Sequence, residues 1–145
     1  MAPSRILVTG ANGFIGAHIL RQLLPRPGVS VRAVVRSPAK VAALQRDFAG
    51  FANLDFAVVP DITAPGAFEA ALAETEVPFQ AVIHTASPFV FKGMSENRRF
   101  LDPAVQGTRG ILEAIQRVAP RVERVVVTSS EFWSRVGGMW CWWWW

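Results

Sequence analysis

The chain has 145 residues, enough for one domain with a core of its own, and 51% of them are hydrophobic. The formal charge of +4 comes from scattered basic residues (Arg5, Arg21, Arg26, Arg32, Arg36, Lys40, Arg46) rather than a cluster interleaved with aromatics, which argues against a nucleic-acid partner. No apolar run approaches the ~18 residues of a membrane span, the Met-Ala-Pro-Ser start carries no signal-peptide pattern, and the single cysteine, Cys141, offers neither a disulfide framework nor metal-ligand spacing. The expectation is a cytoplasmic protein with no metal and no membrane partner.

Apolar runs of strand length alternate with helical patterns along the chain. Residues 5–9 form a short apolar run ending at Gly10, a buried-strand signature. Residues 14–24 read as a helix, with Ile15, Ile19, Leu20, Leu23 and Leu24 recurring at three and four, and Pro25 and Pro27-Gly28 end it. A second strand covers 29–35. Ser37-Pro38 then reads as N-cap and first helical position of a helix to about Phe48. A third strand follows at 54–59, a short helix at 67–73 and a fourth strand at 80–84. Asp102-Pro103 is a second cap pair, opening a helix whose inner face is Val105, Thr108, Ile111, Leu112, Ile115 and Val118 and which Pro120 stops. Residues 123–128 form a fifth strand.

Strands of continuous apolar residues separated by helices imply an α/β fold: a doubly wound parallel sheet of about five strands, covered on both faces. Residues 1–130 show no internal boundary and read as one dinucleotide-binding domain of Rossmann type.

"TGANGFIG" (9–16) places Gly10, Gly13 and Gly16 between the first strand and the first helix. A glycine-rich turn feeding a helix N-terminus suits a pyrophosphate, because the helix start presents unpaired N–H groups and a partial positive charge. Gly10 permits the tight turn, a side chain at Gly13 would hold phosphates away from the backbone, and Gly16 implies close packing of the helix on the sheet or on the cofactor. An acidic residue roughly 20 positions further on would accept from the ribose 2′-hydroxyl; at that distance from Gly16 stands Arg36. A guanidinium forks onto a 2′-phosphate instead, with Lys40 one helical turn later as a second charge. NADP(H) is therefore expected over NAD(H).

These stretches, with "VRAVVRS" (31–37), "DIT" (61–63), "VIHTASPF" (82–89), "DPAVQGTRGILEAI" (102–115) and "RVVVTSS" (124–130), resemble the extended short-chain dehydrogenase/reductase family, of the NAD-dependent epimerase/dehydratase type. Within it the chain is most similar to dihydroflavonol reductases, cinnamoyl-CoA reductases and fungal methylglyoxal/aldehyde reductases. The resemblance implies an NADPH-dependent reductase of aldehydes or ketones. It implies a dinucleotide site of Gly10, Asn12, Gly13, Phe14, Ile15, Gly16, Arg36, Lys40, Asp61, Ile62, Thr85, Ala86, Ser87 and Thr128. In it Asp61 and Ile62 lie against the adenine and Thr85, Ala86 and Ser87 line the cofactor channel. Pro88 and Phe89 face the substrate, and Ser130, with Ser129 as the lesser alternative, is the catalytic serine that hydrogen-bonds the substrate carbonyl.

The family pattern also calls for a tyrosine proton donor and a lysine one helical turn later, well beyond the serine. The 145 residues contain no tyrosine, and Lys40 and Lys92 lie upstream. From Glu131 the sequence "EFWSRVGGMWCWWWW" has no periodicity, and four of the six tryptophans are the last four residues. We expect residues 131–145 to be a disordered, aberrant tail, such as read-through into noncoding sequence; the rival is a Trp-rich membrane or partner anchor. The chain then reads as the cofactor half of a carbonyl reductase, truncated before the substrate region, with little turnover and with half of the usual dimer interface missing. The alternative is a non-catalytic dinucleotide-binding or redox-sensing module.

Overall fold

The computed structural model describes residues 4–73, 77–87 and 98–129, with side chains of the last stretch from Asp102 onward. Its order is β1 (Ser4–Thr9), α1 (Phe14–Leu23), β2 (Val29–Val35), α2 (Pro38–Asp47), β3 (Leu54–Val58), α3 (Glu69–Leu72), β4 (Phe79–His84), α4 (Arg98–Val118) and β5 (Arg124–Val127). All strand pairs are parallel, and the five strands stand in the order β3-β2-β1-β4-β5. This is the expected doubly wound sheet.

Alternation along the strands builds two cores. On one face Leu7, Val34 and Val82 join Phe68 and Leu72 at α3 and Ile111, Ala114 and Ile115 of α4. On the other, Val8, Val31, Ala33 and Val35 join Leu20 of α1 and Leu44 of α2. Adjacent residues of one strand thus feed opposite cores, as a pleat requires, and each fully buried aliphatic side chain contributes about 1.5–3 kcal/mol.

Three expectations about the helices need correction. The second cap pair does not open its helix, because α4 begins at Arg98 and Pro103 lies inside it. Near a helix start, proline's missing N–H forfeits only one early bond, so the helix tolerates it. The buried face of α4 also differs from that expected: Ile111, Ala114 and Ile115 are buried, whereas Val105 is 61% and Leu112 41% exposed. At about 100° per residue those two lie roughly 120° and 100° around the helix from Ile111, the centre of the buried stripe. The short helix is Glu69–Leu72 rather than 67–73, since Gly66, at φ 70°, turns the chain just before it. Ser37 does stand at the N-cap of α2 with Pro38 next, without a side-chain capping bond.

Polar groups brace the sheet edge opposite the glycine turn. Arg5 and Arg32 both pair with the half-exposed Asp55 and both lie over the Phe79 ring. Asn53 donates to the carbonyls of Leu24 (3.0 Å) and Val29 (2.7 Å), tying the chain before β3 to the α1–β2 turn.

Candidate functional site

In this strand order β1 lies between β2 and β4, and the connection from β1 to β2 and that from β3 to β4 run over opposite faces of the sheet. A crevice opens there, outside the carboxyl ends of the strands. The glycine turn lies in it.

The three glycines are forced by different contacts. Gly10 has φ 65°, and a Cβ on it would stand 2.8 Å from Thr85 Oγ1 and 2.9 Å from the Ala86 nitrogen. A Cβ on Gly16 would stand 2.4 Å from the Gly10 carbonyl oxygen and 2.7 Å from Ala11 Cα. Gly16 therefore serves the packing of α1 against its own entry turn. Gly13 is exposed, and a Cβ there would meet only the Gly10 oxygen, at 3.1 Å. The space above it opens away from the protein, which is where a phosphate needs to approach.

The start of α1 is built for an anion. The first intrahelical bond runs from Ala17 N–H to the Gly13 carbonyl (2.9 Å), so the amides of Phe14, Ile15 and Gly16 precede the ladder. No side chain caps them, and no carboxylate stands in the first turn. Phe14 is 83% and Ile15 54% exposed, with the Phe14 ring edge-on to His18 at 4.7 Å. Bare amides, the positive end of a helix and a glycine cradle fit the pyrophosphate of a dinucleotide.

The remaining expected residues all stand beyond the carboxyl ends of their strands. Ala11 N–H donates to the Val34 carbonyl (3.3 Å), joining the glycine turn to the end of β2, where exposed Arg36 follows and Lys40 stands in the first turn of α2. Asp61 follows β3; its carboxylate accepts from the Thr63 amide (2.8 Å) and hydroxyl (2.7 Å), which hold its pKa below the usual carboxylate value. The Ile62 side chain faces α4, where a Cβ on Gly107 would come within 2.9 Å of it. Thr85, Ala86 and Ser87 follow β4 beside Gly10, and Asn12 is exposed at the tip of the turn. The Thr128 amide (3.1 Å) and hydroxyl (3.3 Å) both donate to the His84 carbonyl. Ser130, Pro88, Phe89, Lys92 and the tail 131–145 lie outside the described residues.

Two residues that the sequence reading passed over lie buried at the strand ends that carry the glycine turn and Thr85. Thr9 and His84, register partners at the ends of β1 and β4, are 0% and 3% exposed. Thr9 Oγ1 lies 2.8 Å from His84 Nδ1 and accepts from the amides of Thr85 and Ala86, each at 3.2 Å. Thr85 Oγ1 donates to the Thr9 carbonyl at 2.6 Å. Burial pushes the His84 pKa below its ordinary value. The signal was a single polar residue closing each of two apolar strands, "ILVT" and "AVIH".

A separate groove of about 350 Å³ lies between α4 and the loop that follows Ile62, and shares no residue with the glycine turn. Its arginines are already matched by carboxylates, Arg117 by Glu69 and Arg109 by Glu113.

Fold and glycine turn together are those of a Rossmann-type α/β sheet. The NAD dependent epimerase/dehydratase family matches residues 6–137, and the chain belongs to it. The match extends to residue 137, a few residues into the segment expected to be an aberrant tail. The NADPH-dependent methylglyoxal reductase GRE2 of Saccharomyces cerevisiae is 40% identical over 126 residues, which are 86% of this chain and 36% of that protein. A ketoreductase of Aspergillus niger, azaE, is 40% identical over 128 residues, covering 87% of this chain and 37% of the relative. Among solved structures, yeast methylglyoxal/isovaleraldehyde reductase Gre2 complexed with NADPH superposes with a TM-score of 0.80 at 40% identity, over 88% of this chain and 37% of that one. The Candida albicans Gre2–NADPH complex gives 0.81 at 38% identity, over 89% and 38%. The chain thus spans little more than a third of the length of these relatives.

Proposed function

We propose that this chain is the cofactor-binding part of an NADPH-dependent carbonyl reductase, acting on aldehydes or ketones. The single observation that carries the reading is the turn at Gly13: an exposed cradle, closed only by the Gly10 oxygen at 3.1 Å, above the uncapped start of α1. The pyrophosphate rests on the amides of Phe14, Ile15 and Gly16. Arg36, with Lys40, takes the 2′-phosphate, while Asp61 and Ile62 border the adenine. Thr85, Ala86, Ser87 and Thr128 line the path to the nicotinamide, which supplies the hydride when bound. Ser130 holds the carbonyl oxygen in this reading. The relatives named as NADPH-dependent or as ketoreductases support it.

Titration of NADPH and NADH against the wild type and Arg36→Glu tests the cofactor assignment. The substitution removes a charge-assisted fork and adds repulsion, so NADPH binding should weaken by about 2 kcal/mol, roughly thirtyfold. NADH should be affected far less. Equal losses for both cofactors would remove Arg36 from the 2′-phosphate.

A further inference from the structure

The hydrogen bonds around Thr9 determine the tautomer of His84. A threonine hydroxyl has one proton to donate and two lone pairs to accept with. The Thr85 and Ala86 amides, which can only donate, occupy both lone pairs at 3.2 Å. The proton is left for His84 Nδ1 at 2.8 Å. Nδ1 must then be the bare, accepting nitrogen, and the neutral ring carries its hydrogen on Nε2.

We infer that His84 is a positioning residue whose unprotonated Nδ1 orients the Thr9 hydroxyl and through it holds the Thr85–Ala86 amides against Gly10, so that acid releases this wall of the dinucleotide site. The inference rests on the dinucleotide reading of that site. The segment it controls is in direct contact with the turn: Thr85 Oγ1 and the Ala86 nitrogen are the atoms that exclude a Cβ from Gly10. A proton on Nδ1 would put two donors face to face across the Thr9–His84 contact. Thr9 oxygen has no lone pair left, so an amide must let go or the ring must turn.

Among the described residues nothing nearby compensates an imidazolium. The groups that meet His84 there are the Thr9 hydroxyl of β1, the Phe68 ring beside α3, edge-on at 5.8 Å, and the Thr128 amide and hydroxyl after β5, which meet its carbonyl. None is charged or titrates near neutrality. The buried setting favours the neutral ring, in keeping with the lowered pKa.

The test uses the uniformly ¹⁵N-labelled 145-residue chain, in which the His84 ring is identified by losing the other imidazole signal in His18→Gln. Long-range ¹H–¹⁵N spectra at about pH 7.5 should show Nδ1 bare and Nε2 protonated. On acidification to about pH 5.5 the Thr85 and Ala86 amide signals should shift in the wild type and in Thr9→Ser, which keeps the hydroxyl, but not in His84→Asn, whose side-chain oxygen accepts at the same place and does not titrate. NADP⁺ affinity should fall roughly threefold more over that range in the wild type than in His84→Asn. The titration of the 2′-phosphate itself is common to every variant. Protonated Nδ1 at neutral pH, or equal amide responses in the wild type and His84→Asn, would overturn the inference. If no variant binds NADP⁺ at either pH, the dinucleotide reading fails, and the spectra alone decide whether His84 positions the segment.

Discussion

Gly13 and Gly16 look alike in "TGANGFIG" and should respond differently to substitution. On helix propensity alone, Gly16→Ala should stabilise α1 by about 1 kcal/mol. In the folded turn the new methyl would overlap the Gly10 oxygen and Ala11 Cα, at 2.4 and 2.7 Å. Overpacking against backbone should win, and thermal melting should show Gly16→Ala destabilised by about 2–3 kcal/mol. Gly13 has φ −77°, open to any residue. Its Cβ would press on the Gly10 oxygen at 3.1 Å, a far milder overlap than at Gly16, so Gly13→Val should stay folded and melt only modestly below the wild type while losing dinucleotide binding. A stabilised Gly16→Ala would contradict the packing described for α1. The spacing made all three glycines legible as one turn. It also marked Gly13 as the one a ligand approaches, but left open whether Gly16 packs on the sheet or on the cofactor, because its contact with the Gly10 oxygen and Ala11 exists only once the turn is folded. For the same reason Thr9 and His84 went unseen: each is an ordinary strand-end residue until register brings the two together.

At the scale of the element, α4 shows where periodicity runs out. Val105, Ile111, Leu112 and Ile115 fit one helical stripe on paper, but the sheet accepts only part of it. Ile111→Ala should cost about 2–4 kcal/mol, because Ile111 is 0% exposed in the core shared with Phe68 and Leu72. Leu112→Gln should stay within about 0.5 kcal/mol of the wild type. Urea midpoints of the two variants separate the faces, and equal losses would return Leu112 to the interior. The strands were readable to within a residue at each end because continuous apolar runs bounded by Gly, Pro and polar residues have few other uses. The starts of α3 and α4 were not, since a turn at Gly66 and a tolerated Pro103 both depend on tertiary packing.

The whole molecule inherits a pH dependence and an edge. In the unfolded chain His84 titrates near 6.5, and in the folded chain below that value. On acidification the unfolded state therefore takes up its proton first. Stability should be complete above about pH 6.5 and should decline as the pH falls toward the folded value. The urea midpoint should follow that course in the wild type and be flatter in His84→Asn; a midpoint rising on acidification would reverse the sign. Among the described residues β5 pairs only with β4, and Val126 on it is 53% exposed. An apolar edge templates association, so Val126→Lys should lower self-association in light scattering. The dinucleotide site is the claim on which the functional account depends, and calorimetric titration of NADP⁺ into the wild type and Gly13→Val tests it most directly. The account predicts saturable binding to the wild type and none to a folded Gly13→Val. Unchanged affinity in Gly13→Val, or no binding to a folded wild type, would contradict it.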